Sequence, residues 1–130
     1  MPIRIVRLGS PRARNEGLRI GTVRRPPRGV KKKDYAARDY FDVWLPELAP
    51  SPEVVSSALS EEWTEERWKK FATQYRREMK TPPAQRLLTL LAALSAQTDF
   101  SVGCYCEDES RCDRSLLRGL LEETGAKFHD

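Results

Sequence analysis

The sequence predicts an α/β fold: a single domain in which a small, mostly parallel sheet is packed with helices. Short apolar segments near residues 2–8, 18–24 and 99–105 are typical of buried strands. Longer segments at 64–80 and 84–97 carry apolar residues at helical spacing. A chain of 130 residues suits one core, so we expect all 130 residues to form one domain.

The N-terminal part predicts strands separated by loops. Residues 3–8 begin with alternating apolar and basic side chains, and residues 18–23 include Ile and Val, so both are expected to be strands. Residues 24–29 contain two consecutive prolines, which remove two N–H donors and end regular structure. Residues 31–38 are expected to form one helical turn, and residues 40–44 an extended segment.

The central part predicts helices. Ser51 and Pro52 begin a short helix that is expected to reach about Leu59. The helix at 64–80 places an aromatic stripe on one face, which is typical of core. In the helix at 84–97, five leucines cover a broad face that we expect to lie against the sheet: Leu87, Leu88, Leu90, Leu91 and Leu94.

The C-terminal part predicts a candidate site. A buried strand at 100–105 leads through a polar loop to a helix over residues 111–124, and residues 126–129 are a candidate last strand. Ser110 is a suitable N-cap, with Asp113 completing a capping box. The carboxyl end of the strand and the start of the helix therefore point to one place, where open α/β sheets bind ligands.

All three cysteines lie in this stretch, and three interpretations stay open. Cys104, Cys106 and Cys112 are small apolar fillers, or one of them is a reactive thiol, or they bind zinc together with His129 or Asp113. The spacing matches no standard zinc knuckle, so we expect neither a metal nor another cofactor.

Charge is distributed unevenly along the chain. The net charge of +4 divides into +10 for residues 1–38 and −6 for the remainder. Such a basic segment is either a solvated loop that neutralises acidic faces or a phosphate-binding surface. The sequence has no apolar run of membrane-spanning length and no signal peptide, and its odd cysteine count favours a cytoplasmic protein.

Three segments resemble the domain-of-unknown-function 488 (DUF488) family, especially its YeaO-like branch. Residues 17–32, GLRIGTVRRPPRGVKK, resemble a family pattern Gly-x-Arg-Ile-Leu-Val-Asp-Arg-Leu-Trp-Pro-Arg-Gly-x-x-Lys. Residues 44–51, WLPELAPS, are similar to Trp-Leu-x-Glu-Leu-Ala-Pro-Ser. Residues 112–114, CDR, resemble the Cys-His-Arg that opens the last helix of many members. This chain departs from these patterns at Val23, Pro26 and Asp113.

The resemblance implies an α/β fold and one site shared by the arginine-rich loop and the start of the last helix, and we expect a bacterial protein. The +10 N-terminal segment, the Arg24–Arg28 pair and the helix N-terminus at residue 111 favour a module that binds a phosphate-bearing ligand, either a nucleotide or a nucleic acid. The expected ligand-binding residues are Arg24, Arg25, Arg28, Gly29, Lys32, Arg111, Asp113 and Arg114.

Two alternatives remain, a small enzyme that uses Cys112, Cys106 or Cys104 as its thiol and a zinc-binding structural protein. The most specific hypothesis is that Arg28 and Arg114 face each other across one pocket with Cys112. The alternative, which stays open, is that both arginines neutralise the acidic loop at 107–109, Arg28 as a distant partner and Arg114 as a local one.

Overall fold

The sheet has four strands, all parallel in their described pairings. The computed structural model describes residues 2–54, 64–105 and 113–129. The strands are β1 (Ile3–Arg7), β2 (Leu18–Gly21), β3 (Val43–Trp44) and β4 (Phe100–Cys104). Their order across the sheet is β1-β4-β2-β3. The predicted α/β fold with a small, mostly parallel sheet is confirmed.

Strand β4 lies in the middle of the sheet and carries the candidate cysteine stretch. It pairs with β1 from Ile3–Phe100 to Arg7–Cys104, and with β2 on its other side. All five of its residues are buried, as expected for a central parallel strand that is covered on both faces. The predicted last strand is reduced to one parallel bridge, in which Phe128 lies beside Ile3.

Three helices follow the sequence pattern closely. They are α1 (Glu65–Glu78), α2 (Pro82–Leu94) and α3 (Asp113–Glu123). At the start of α1 the Thr64 hydroxyl accepts a hydrogen bond from the Arg67 N–H, which satisfies a donor that the first turn leaves open.

Of the shorter segments, some were predicted and one was not. The predicted turn after the proline loop is a 3-10 helix, Lys32–Asp34. A second 3-10 helix, Pro46–Leu48, was not predicted: it begins at the proline, whose fixed φ suits the first helical position. Residues 52–54 are helical, and the rest of the predicted helix to Leu59 lies outside the described residues.

The main core lies on the face of the sheet that the helices cover. Residues from β1, β2 and β4 meet residues from all three helices in one buried cluster, which includes Ile3, Ile20, Phe100, Val102, Tyr75, Met79, Leu88, Leu91, Leu117 and Leu121. The aromatic stripe of α1 faces this core, as predicted: Tyr75 is completely buried, and Trp68 and Phe71 are partly buried against it. None of the helices in the described ranges combines the length and the apolar character that a membrane crossing requires.

The leucine face of α2 is narrower than predicted. Leu88 and Leu91 are buried with Ala84, but Leu90 and Leu94 are 52% and 37% exposed. With a rotation of 100° per residue, the buried positions form one arc around the helix axis, and the two exposed leucines lie beside that arc. The prediction that all five leucines lie against the sheet is therefore wrong for these two.

The second face of the sheet is covered by loops. A smaller buried cluster contains Leu8, Val23, Phe41 and Cys104. The Phe41 ring packs so closely on Gly21 that a Cβ at this glycine would overlap it, so only glycine permits this contact. The loop before β3 is thereby held over the carboxyl edge of the sheet.

Candidate ligand-binding cleft

A cleft of about 670 Å³ lies at the carboxyl edge of the sheet. Its described lining residues are Arg25, Pro26, Pro27, Arg28, Tyr40 and Tyr105. The first four follow the end of β2, and Tyr105 follows the end of β4. Because neighbouring parallel strands end at the same edge, segments far apart in sequence meet here.

Arg25 and Arg28 supply the positive charge of the cleft. Both are exposed, and within the described ranges neither side chain forms an ion pair or a hydrogen bond. The lining residues named above include no acidic side chain. Pro26 and Pro27 have fixed φ angles, so the segment that presents both guanidinium groups has little backbone freedom to lose on binding.

Tyr105 connects the aromatic side of the cleft to the arginine segment. Its hydroxyl donates a 3.1 Å hydrogen bond to the backbone carbonyl of Arg25. Burial raises the pKa of Tyr105, and the neighbouring Tyr35, Tyr40 and Cys104 raise it further. The phenol therefore stays neutral at physiological pH and remains a hydrogen-bond donor.

Tyr40 is fixed by packing on two sides. The edge of its ring packs against Gly9, where an added Cβ would lie 3.3 Å from the ring. Gly9 has a φ of 94°, which glycine adopts without strain. Its ring centroid is 6.2 Å from that of Tyr105 at an interplanar angle of 73°, an edge-to-face arrangement. The Cζ atom of Arg38 lies 6.0 Å from the Tyr40 centroid.

The other predicted residues of the arginine loop lie outside this cleft lining. Arg24 donates from Nε to the Pro50 carbonyl at 3.2 Å and from Nη2 to the Ala49 carbonyl at 3.0 Å, so it holds two loops together. Gly29 adopts a φ of 72°, which suits a turn. Lys32 is exposed in the 3-10 helix that follows. Their predicted role in binding stays a prediction.

Arg19, which belongs to the same basic segment, is completely buried. Its guanidinium forms a two-pronged ion pair with Glu16, Nε to Oε2 at 2.7 Å and Nη2 to Oε1 at 2.8 Å. Its Nη1 donates to the carbonyls of Ser10 and Asp39, both at 2.7 Å. These partners satisfy the charge internally, so Arg19 belongs to the scaffold.

Glu16 is matched on every side as well. It accepts hydrogen bonds from the Ser101 hydroxyl at 2.8 Å and from the Ala13 N–H at 3.2 Å, in addition to those from Arg19. Burial alone would raise the pKa of Glu16, but the hydrogen bonds from Arg19, Ser101 and Ala13 outweigh it and lower the pKa below its ordinary value. The carboxylate is therefore held ionised.

A second acidic group joins this network from the loop before β3. Asp42 accepts a 2.8 Å hydrogen bond from the Arg19 N–H and pairs with Arg12 at 2.7 Å. Burial opposes its ionisation, yet the bonds from Arg12 and Arg19 lower the pKa of Asp42 overall. The network consequently ties β2 to residues 39–42, which carry the cleft residue Tyr40.

Only one of the three cysteines lies within the described residues. Cys104 is 3% exposed and packs in the smaller buried cluster at the end of β4. That burial agrees with the interpretation of this cysteine as an apolar filler. Cys106 and Cys112 lie outside the described residues, so their proposed roles as thiol nucleophiles stay predictions.

The start of the last helix is described in part. Arg111 lies outside the described residues, as does the side chain of Asp113, whose backbone begins α3. Arg114 is in the first turn of α3 and 4% exposed, and it is not among the described lining residues of the cleft. A pocket shared by Arg28, Arg114 and Cys112 stays a prediction.

Zinc binding is tested only in part. Within the described ranges, no group of three or more His, Cys, Asp or Glu residues is arranged to hold a metal ion. His129 donates its backbone N–H to the Ile3 carbonyl at 2.8 Å, at the amino edge of the sheet. Ile3 pairs with Phe100, and Cys104 lies four residues further along β4, a distance of about 13 Å. His129 is therefore poorly placed to join Cys104 as a ligand.

The two tyrosines of the cleft were missed by sequence reasoning. Tyr105 ends a predicted strand and Tyr40 begins a predicted extended segment, and neither was expected at a site. A signal did exist, because an aromatic residue directly after a buried strand lies at the ligand-binding edge of a parallel sheet. The convergence of both rings with Arg25 depends on strand order, which the sequence does not reveal.

Taken together, the parallel sheet and the cleft at its carboxyl edge define an open α/β protein with a candidate small-molecule site. The family model DUF488-N3a, described as the active DUF488-N3 subclade, matches residues 3–125. The chain therefore belongs to the DUF488 family, as its motifs predicted. Its place in the YeaO-like branch stays a prediction. Neither a curated protein nor a solved structure matches the chain.

Proposed function

We propose that this DUF488 protein binds a phosphate-bearing ligand, a nucleotide or a nucleic acid, in the cleft at the carboxyl edge of its sheet. The observation that carries the proposal is the pair of exposed guanidinium groups, Arg25 and Arg28, on a proline-stiffened segment beside apolar walls. Guanidinium groups match phosphate oxygens in geometry, and their bonds strengthen where apolar surface excludes water.

The contacts of the other arginines support this assignment. Arg19 is neutralised by Glu16, and Arg24 is bonded to the carbonyls of Ala49 and Pro50. Arg25 and Arg28 have no such partner in the described part of the chain. A positive charge without an internal partner, placed at a concave surface, is available to an anion.

The experiment is a binding titration with two probes, AMP and a short oligothymidylate, by calorimetry. The double variant Arg25→Ala/Arg28→Ala should weaken binding of at least one probe by about tenfold or more, since each charged hydrogen bond contributes about 1.5–3 kcal/mol. For the oligonucleotide, the slope of log K against log salt should also fall by about one for each phosphate contact removed.

The matched control is Arg14→Ala/Lys33→Ala, which removes the same charge from two exposed positions outside the cleft lining. This control should retain nearly all of the affinity. Equal losses in the two double variants would mean that only net charge matters, and no binding of either probe would refute the proposal.

A second candidate function is thiol chemistry in the stretch that contains Cys106 and Cys112. The observation that favours it is the description of the matched family model as an active subclade. A reactive cysteine would have a pKa below the ordinary value of about 8.5. Alkylation rates of Cys104→Ser, Cys106→Ser and Cys112→Ser variants across pH would identify it, and an ordinary pKa for every thiol would argue against an enzyme.

We also propose a cytoplasmic location, because a protein that binds nucleotides or nucleic acids meets them there.

The zinc alternative is tested by elemental analysis of protein purified without added metal. Bound zinc at one equivalent would support it.

A further inference from the structure

The cleft offers more flat apolar surface than a phosphate group can use. Two proline rings and two tyrosine rings line it beside the two arginines. Resting on the proposed function, we propose that the ligand is a mononucleotide whose base packs against the tyrosine rings while its phosphate pairs with Arg25 and Arg28. Aromatic stacking is the usual way in which proteins hold an unpaired base.

The tyrosine rings are held in place before any ligand binds. Tyr40 is packed on Gly9 and meets Tyr105 edge to face, at 6.2 Å between centroids. The Asp39 carbonyl, next to Tyr40, accepts hydrogen bonds from the Gly9 N–H at 2.8 Å and from Arg19 at 2.7 Å. A ring fixed by its own backbone and neighbours loses little entropy when a base stacks on it.

The aromatic and basic parts of the cleft are joined by a direct bond. The Tyr105 hydroxyl donates to the Arg25 carbonyl at 3.1 Å, so the ring and the arginine segment keep a fixed separation. The Tyr105 phenol is neutral at physiological pH even at its ordinary pKa of 10.0, and burial raises that pKa further, so the ring does not repel a phosphate. A ligand that carries a ring and an anion at a matching separation engages both parts at once.

The size of the cleft favours a single nucleotide over a polymer. Its volume of about 670 Å³ falls within the range of about 300–1,000 Å³ that is common for small-molecule sites. Proteins that bind single strands instead follow the backbone with a groove of several nucleotides. The described lining is confined to four consecutive residues and two tyrosines.

The test compares AMP with ribose 5-phosphate on the unmodified protein, by calorimetry at one salt concentration. The two probes share the phosphate and the sugar and differ in the base. AMP should bind about tenfold or more tightly, the contribution that is typical of one stacked base. Because this comparison needs no variant, it does not depend on whether a substituted protein folds.

Two variants of Tyr40 then test whether the tighter binding of AMP comes from the Tyr40 ring. Tyr40→Leu should lower AMP affinity about tenfold and leave ribose 5-phosphate affinity unchanged, whereas Tyr40→Phe should retain AMP affinity because the aromatic face remains. Thermal melting of each variant checks that the fold is intact.

The outcomes separate this inference from the function on which it rests. If both probes bind equally and both weaken in Arg25→Ala/Arg28→Ala, the phosphate site stands and the stacking inference is wrong. If the oligothymidylate binds and AMP does not, the ligand is a nucleic acid and the inference is also wrong. If no probe binds, or if binding ignores both arginines, the proposed function itself fails.

Discussion

Arg19 and Arg25 are six residues apart in the same basic segment, yet one is completely buried and the other is exposed beside a cleft. Arg19 makes two bonds to Glu16 and two to backbone carbonyls. Within the described residues, the Arg25 side chain has no hydrogen bond or ion pair, and its backbone carbonyl accepts a hydrogen bond from Tyr105. The comparison teaches that a basic segment is not one functional unit, because each charge is assigned by the partners that the fold brings to it.

The buried Arg19 network and the cleft are nevertheless connected. The Asp39 carbonyl accepts from Arg19, and the next residue, Tyr40, lines the cleft. Asp39 itself has a φ of 61°, a conformation that aspartate adopts more readily than most residues. The buried network thus holds the loop that presents one wall of the cleft.

The largest effect is expected from removing the buried arginine. Arg19→Ala would leave Glu16 ionised and buried with no cation, which should lower the free energy of unfolding by about 3–5 kcal/mol. Urea denaturation measures this loss. The matched control is Arg25→Ala, and a loss below about 1 kcal/mol for Arg19→Ala would mean that the pair behaves like an exposed one.

A smaller effect on stability is expected from lowering the pH. The network lowers the pKa values of Glu16 and Asp42 from their ordinary 4.5 and 3.8, so the unfolded chain takes up protons first as the pH falls. Stability should therefore be constant above about pH 5 and should decline below it as these carboxylates are protonated. Glu16→Gln should be less stable at neutral pH and should show a shallower decline. An acid profile identical to that of the unmodified protein would contradict this account.

Arg24 lies between Arg19 and the cleft arginines in sequence, so a variant of Arg24 tests where the buried scaffold ends and the cleft begins. Arg24→Ala should cost about 1–2 kcal/mol of unfolding free energy, because the carbonyls of Ala49 and Pro50 lose a charged donor. Its effect on ligand affinity should be smaller than that of Arg28→Ala. If the two variants lose the same affinity at the same stability, Arg24 belongs to the cleft as well as to the scaffold.

The smallest effect is expected from the cleft arginines on stability. Arg25→Ala and Arg28→Ala should each change the unfolding free energy by less than about 0.5 kcal/mol, because both side chains are exposed and have no partner among the described residues. Thermal melting beside the exposed Arg14→Ala control measures this. A loss comparable to that of Arg24→Ala would mean that these side chains have structural partners.

The helices and strands were largely readable from local patterns. The strands found at Ile3–Arg7 and Phe100–Cys104 lie inside the predicted segments, and α1 lies inside the helix predicted over 64–80, with Thr64 as its N-cap. These features depend on apolar periodicity and capping, which act over a few residues. The width of the buried face of α2 was overestimated, because periodicity marks apolar positions without showing how far the opposing surface extends.

The site was predicted in part. The sequence pointed to Arg25 and Arg28, which line the cleft, and it grouped with them Arg24, whose side chain bonds the Pro50 carbonyl and whose role in binding stays a prediction. It placed Arg19 in a predicted strand and outside the expected ligand-binding set, but it did not show that this charge is completely buried. The acidic partner of Arg19 is only three residues away, yet it also accepts a hydrogen bond from Ser101 of β4, which is 85 residues from it in sequence.

The sequence by itself therefore determined the α/β class, the order of the helices and strands, and the motifs of the DUF488 family. Only the tertiary structure decided that β4 lies between β1 and β2, and hence that Tyr105 reaches the Arg25 carbonyl. The physical reason is that local structure follows from short-range periodicity, whereas the surroundings of a charge or a ring follow from strand order. Pairing between strands joins residues some eighty positions apart, such as Arg19 and Ser101, and no local pattern encodes that partner.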